Sequence, residues 1–445
     1  MLLGHGLVQR ADLPIPESLF GGAAAVVLVV SFLALAVLWT QPKLTKDRWR
    51  PLPGFLGPVL GSRWLEAACG AVGVALLALT VAAGLFGTRS PLDNFAPGFV
   101  FIVFWVGVVF ASALLGNVFA AFSPWRALGR LTGLVLGRMR GGRPVTHRAY
   151  PAWLGCWPAV AGLLGFTWIE LASDWSERPQ AIGVAALAYT IFTLAGQALF
   201  GVERWTRRGE TFAVYFDLFS RIAAFERRDG VVGVRPPLGG LPRLETVPGI
   251  VALVVVMIGS VTFDGLSQGR LWSDATGAAA FEFPELLNTA GLLFGVALVG
   301  GFYAAGLAGV RSLDRNHSAA ELRSAFVHSL IPIAMVYVAA HYLTYLFFEG
   351  QSIGYLVSDP LGEDWDLFGT AAATIDYGAL SQNQAWYLQV GFVVTGHMAA
   401  LVLAHDRALT LYPDSRHTVR SQYWMLAVMI GFTTLALWLL AAPQG

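Results

Sequence analysis

Ten runs of about twenty apolar residues divide this chain, and a run of that length is what an α-helix needs to cross the roughly 30 Å hydrocarbon core of a bilayer. They fall near 19–40, 64–86, 96–119, 151–172, 180–201, 247–265, 286–309, 325–349, 384–405 and 421–442. A backbone in lipid must satisfy its own hydrogen bonds, so the runs predict an all-α polytopic transmembrane bundle of about ten spans. Composition agrees: 56% of residues are hydrophobic, mean hydropathy is +0.61, and 13% are charged, where soluble domains carry about a quarter.

Loop charge sets the expected orientation. Of 29 Lys and Arg residues, all but Arg10, Arg89, Arg178 and Arg270 lie in the loops that follow the first, third, fifth, seventh and ninth runs. Basic loops stay in the cytoplasm, which predicts both termini outside. The chain then divides into an outer amino-terminal segment, 1–18, and a ten-span membrane domain, 19–442. MLLGHGLVQRADLPIP is too short and lacks the basic start and apolar core of a cleavable signal. Only Lys43 and Lys46 are lysine, a bias that with abundant Ala and Gly suggests a GC-rich bacterial genome, hence the bacterial cytoplasmic (inner) membrane.

A net charge of +1 argues against a nucleic-acid partner, which needs a dense basic face. Cys69 and Cys156 fall inside apolar runs and read as small core residues. The sequence has no phosphate-cradling lysine loop, no GxGxxG, no HExxH and no CxxC, which removes the warrant for ATP hydrolysis, dinucleotide binding and zincin chemistry. Two amphipathic stretches predict interfacial helices on the cytoplasmic surface. One is near 124–140, where Ser123 caps and Pro124 opens the helix; the other is near 211–228, TFAVYFDLFSRIAAFERR. Each is read as a membrane anchor, with docking of a partner as the other reading. Acidic outer loops, such as SDPLGEDWDLFG, read as solvated loops or as oxygen ligands for a hard cation.

The most informative run is FVHSLIPIAMVYVAAHYLTYLFFEGQ, Phe326 to Gln351. Ionisable side chains inside a bilayer cost a few kcal/mol unless they face protein, water or an ion, and so mark candidate sites. On a continuous helix His341, Tyr345 and Glu349 follow one another at i, i+4 and form one polar stripe, within about 80°. His328 falls on another side, and Pro332 should kink the helix near its start. Counted from the cytoplasmic end at about 1.5 Å per residue, Glu170, Asp264 and His341 lie at nearly one height, about 24–28 Å, so the fourth, sixth and eighth spans can turn them into one outward-facing pocket. His341, Tyr345 and Glu349 are the catalytic candidates. Glu170, Asp264, His341 and His397 are the candidate ligands of a divalent metal, which could activate a water, while the same groups without metal could relay a proton. The bland reading leaves each at the interface, snorkelling or paired with loop backbone. His405 and Asp406 stand at the cytoplasmic end of the ninth span, where His328 could meet them. Haem fits poorly, because the eight-residue spacing of His397 and His405 does not match the thirteen residues between His328 and His341.

The segments HGLVQRADLPIP (His5 to Pro16), SPWRAL (Ser123 to Leu128), TFDGLS (Thr262 to Ser267), HSLIPIAMVYVAAHYLTYLFFEGQ, SDPLG (Ser358 to Gly362) and GHMAALVLAHDRAL resemble a family of actinobacterial polytopic membrane proteins commonly labelled fenitrothion hydrolase. The likeness covers most of the chain, although Ser123 replaces the asparagine often found before the Pro-Trp pair. It implies cleavage of an organophosphorus triester. A metal held by Glu170, Asp264 and His341 would then activate water, with Tyr345 assisting the developing charge. Two other classes remain open: a secondary transporter or channel for an ion, a proton-coupled solute or a metal, and a non-catalytic partner in metal handling. All three involve the lipid bilayer and either a small-molecule or ion ligand or a membrane or extracytoplasmic protein partner.

Overall fold

The apolar runs fold as helices. The computed structural model describes residues 17–141, 146–313, 316–412 and 415–441, so nearly all of the amino-terminal segment 1–18, with His5, lies outside the described residues. Among those described, nine helical segments are long and apolar enough to cross a membrane, matching the first nine runs, and a tenth helix covers the last. The chain is an all-α, multi-pass membrane bundle.

In chain order, α1 is Glu17–Leu38 and α2 is Arg63–Phe86. The third span is a ten-residue π-helix, Gly98–Gly107, continued by α3, Val108–Leu115. Helix α4, Pro124–Met139, covers the first stretch expected to lie at the membrane surface. The Ser123 hydroxyl accepts from the Arg126 amide, Pro124 and Trp125 are buried, and Leu131, Leu134, Leu136 and Met139 stand exposed beside Arg138. The fourth and fifth spans contain α5, Trp157–Leu171, and α6, Pro179–Phe200.

The second expected interfacial helix does not form as such. Residues Thr211–Ser220 make a short helix, α7, that is buried almost throughout and packs against α3 and α5 and the later α10. The chain then turns into a hairpin. Strands β2, Phe225–Arg228, and β3, Val231–Val234, join through Asp229 and Gly230, both at positive φ (48° and 80°). That is the geometry a two-residue hairpin turn favours, and the Asp-Gly pair supplies it. Strand β1, Arg50–Pro51, pairs with the other side of β3. The apolar spacing of Phe212, Tyr215, Phe216 and Phe219 gives α7 a face suited to the interior, which is why the segment leaves the surface.

Helix α8, Ile250–Ser267, is among the most buried spans of the bundle. It packs on α5, on α9, Pro284–Leu313, and on α10, Ile331–His341. Helices α8 and α9 approach through glycines: a Cβ on Gly259 would stand 2.5 Å from the Val296 Cα. Small residues at such crossings let backbones meet where lipid offers no hydrophobic drive between helices. Pro332 stands in the first turn of α10 after a 3₁₀ turn, Val327–Leu330, so the eighth span departs from α-helical geometry near its start. It breaks again at Tyr342, beyond which lie α11, Leu343–Phe348, and a 3₁₀ turn, Glu349–Ser352. Helices α12, Gln382–Leu411, and α13, Ser415–Ala441, complete the bundle.

The arginine-rich end is held by ion pairs. Glu66 of α2 takes Arg126, Arg130 and Arg227 at 2.6–2.9 Å, and Asp47 takes Arg228 and Arg243 at 2.6 and 2.8 Å. These pairs tie α2, α4 and the hairpin together.

Candidate functional site: a buried acid, histidine and tyrosine cluster

Asp264, on the last turns of α8, is buried at 2% exposure. Its Oδ2 lies 2.8 Å from His341 Nε2 and 2.7 Å from the Tyr342 hydroxyl, and its Oδ1 accepts from the Gln268 amide at 3.1 Å. All three donors are satisfied at once when Asp264 is a carboxylate and His341 carries its proton on Nε2. His341 is 5% exposed, and its ring meets that of Tyr342 edge-on at 4.7 Å.

The helix break makes this pairing possible. In a continuous helix adjacent residues point about 100° apart. Tyr342 sits at φ −96°, ψ 11°, outside helical geometry, and both neighbours reach one carboxylate. Gln389 of α12 donates to the Ala340 carbonyl at 2.8 Å, providing a partner for a backbone group beside the break.

Glu170, from the end of α5, completes the cluster. Its carboxyl faces the Trp105 indole and Tyr342 and is in electrostatic contact with Asp264. Its Oε2 atom is buried and has no hydrogen-bond partner. Trp105 belongs to the π-helix and stacks on Tyr215 of α7, with centroids 4.7 Å apart and planes 15° apart. Five elements therefore converge: the π-helix, α5, α7, α8 and α10. The three residues expected at one depth, Glu170, Asp264 and His341, do meet, but in packed protein rather than as the lining of an open chamber.

Other expectations need correction. The stripe His341, Tyr345, Glu349 is interrupted by the break at Tyr342, so Tyr342 is the tyrosine that bonds Asp264. Tyr345 remains close, buried at 5% with its ring 6.4 Å from that of Tyr342, and it faces the charges of Glu170, Asp264 and Glu349. Glu349 is half-buried in the 3₁₀ turn and accepts from the Tyr377 hydroxyl at 3.2 Å. His397 is fully buried elsewhere on α12: its Nδ1 lies 2.7 Å from the Val393 carbonyl, its ring packs near Tyr337 and Phe432, and its Nε2 has no hydrogen-bond partner.

His405 bridges Gln422 and the Trp39 carbonyl, both at 3.0 Å, and Asp406 accepts from Trp39 Nε1 and the Lys43 amide at 2.9 and 2.6 Å. These two residues dock the end of α1 onto α12. His328 is buried in its 3₁₀ turn and faces the charge of Arg407, two residues along α12 from His405. Among the described residues no group of three or more His, Cys, Asp or Glu side chains is gathered as a metal site. His341 Nε2 and Asp264 Oδ2 are turned toward each other as a hydrogen-bonded pair.

Sequence reasoning missed Trp105 and Tyr342. The signal for Tyr342 was its place beside a membrane-embedded histidine; for Trp105 the sequence carries none, since its orientation depends on the π-helical register. No family model, no curated protein and no solved structure matches this chain.

Proposed function

We propose that this polytopic membrane protein is a proton-coupled transporter whose Glu170–Asp264–His341–Tyr342 cluster takes up and releases a proton in each working cycle. The observation that carries the reading is the juxtaposition of two carboxyl groups inside the bundle, one with three donors and the other with a buried, unpartnered oxygen. Like charges that close together in a low-dielectric interior do not both persist, so Glu170 and Asp264 share an exchangeable proton, with His341 as the group that passes it on. Broken helices at the site support the same class. Discontinuous spans are where transporters place coupling sites, and here the eighth span breaks at Tyr342 while the third is π-helical.

The test is proton flux in proteoliposomes under an imposed pH gradient, read with an enclosed pH-sensitive dye. Flux in the wild type that disappears in His341→Ala supports transport; vesicles equally tight with either protein reject it.

One observation favours a second reading. An imidazole oriented by a carboxylate is the arrangement of a general base, and the family resemblance implies hydrolysis of an apolar phosphotriester. In that case His341 would deprotonate the attacking water and Asp264 would hold the ring. Turnover of a chromogenic triester by purified protein, lost in His341→Ala, distinguishes this reading from transport. Chelator sensitivity of that turnover would bring a metal back into it.

A further inference from the structure

Beside the cluster lies a cavity of about 860 Å³, bounded by α2, the π-helix, α5, α6 and α7. It has a shape and a chemistry that the proton reading does not use. Along α5 it runs from Pro158 to Ile169, and along α6 from Ile182 to Phe192. At about 1.5 Å per residue both edges measure roughly 15–16 Å, half of a ~30 Å hydrocarbon core. The wall also takes Phe99 and Trp175 from one end of the spans and Phe122 and Pro124 from the other, so the slot runs along the helices that flank it.

Its walls are almost wholly apolar, and small side chains make the room. Gly165 faces the cavity from α5, and a Cβ built there meets nothing within 4 Å. The cavity opens to the outside of the bundle: Phe192 of α6, with Phe122 and Trp175 beyond the ends of the spans, lines it and is 44% exposed, against 38% and 41% for the other two. What reaches that opening in a membrane is lipid. Protein interiors rarely keep voids larger than a few water molecules, and an apolar one of this size does not hold water well.

We infer that this slot binds a single hydrocarbon chain of a bilayer lipid. The chain would lie along α5 and α6, its side against Phe104 and Phe212 at the back of the cavity. Phe166, another wall residue, packs on Trp105 at 4.6 Å, and Trp105 faces Glu170. A bound chain thus supports the aromatic wall that orients the cluster. The inference stands on the cavity alone and holds whether or not the cluster moves protons.

Two measurements on the full chain test it. In native mass spectrometry after extensive detergent washing, wild-type protein should retain about one lipid, and Gly165→Phe, which fills the slot, should retain at least roughly tenfold less. Protein reconstituted with a fatty acid carrying a photoreactive diazirine should be labelled at cavity-facing Ala161, Gly165 and Ala185. Exposed Val184 and Ile191 on α6 serve as the bulk-lipid reference, and labelling at the cavity positions should exceed theirs. The inference is overturned if the wild type retains no lipid or retains a non-lipid molecule. A folded Gly165→Phe protein that keeps its lipid also overturns it. If Gly165→Phe does not fold, the wild-type labelling pattern decides: label confined to the reference positions rejects the slot.

Discussion

Among single residues Asp264 holds the cluster together, through His341, Tyr342 and Gln268. Replacing it with Ala leaves His341 Nε2 and the Tyr342 hydroxyl without their common acceptor in a buried site. Breaking a buried pair of this kind costs about 3–5 kcal/mol, so Asp264→Ala should lower the thermal unfolding temperature in detergent and abolish proton flux. The two tyrosines separate the geometry from the i, i+4 spacing. Tyr342→Phe removes a hydrogen bond to the carboxylate, worth about 1.5–3 kcal/mol, and should impair flux; Tyr345→Phe should leave flux near wild type. The reverse order, measured in the same vesicles, would mean that the unbroken stripe describes the working state better than the bent span. Much of this site was legible beforehand, because depth counted along apolar runs placed Glu170, Asp264 and His341 level. What depth cannot show is rotation. Tyr342 and Trp105 join the cluster through departures from α-helical register, which no 3.6-residue periodicity reports.

At the element scale, the crossing of α8 and α9 and the fate of the 211–228 segment show where sequence pattern succeeds and where it stops. Apolar runs located every span, since lipid permits few alternatives to a helix. They did not distinguish a helix lying on the membrane from one tucked into the bundle. Thr211–Ser220 was legible as helical, while its burial depends on partners from α3, α5 and α10 that are distant in sequence. The Asp229–Gly230 turn was a local signal that could have been read. The α8–α9 crossing yields a contrast within one interface. Gly259→Ala drives a methyl into the Val296 backbone and should lower the unfolding temperature, with overpacking of this sort costing about 1–3 kcal/mol. Gly301→Ala, on α9 where a Cβ meets nothing within 4 Å, should be neutral or stabilising.

At the scale of the whole molecule, charge divides the bundle into a basic end and an acidic one. Impermeant thiol labelling of intact cells should modify a cysteine placed at exposed Glu363 and spare one at exposed Thr45 if the basic loops are cytoplasmic. The basic end should also be acid-sensitive. Burial pushes the Glu226 carboxyl up, but the hydrogen bond from Arg228 and the charges of Arg235, Arg243 and Arg228 outweigh it and hold the group below its ordinary value of 4.5. A carboxylate depressed in the folded state stabilises it above that ordinary value, and the contribution is lost as pH falls through the folded-state value. Hydrogen exchange in the 225–234 hairpin should therefore quicken as pH is lowered below about 4.5 relative to Glu226→Gln, after correction for intrinsic exchange. Whether the bundle encloses an exchangeable proton between Glu170 and Asp264 can be read by infrared difference spectroscopy during a pH titration of the purified protein. A shared proton gives a buried, protonated carboxyl band in the wild type that is absent from Glu170→Gln and altered in His341→Ala; identical spectra for the wild type and Glu170→Gln across the titration would show that no such proton is held there.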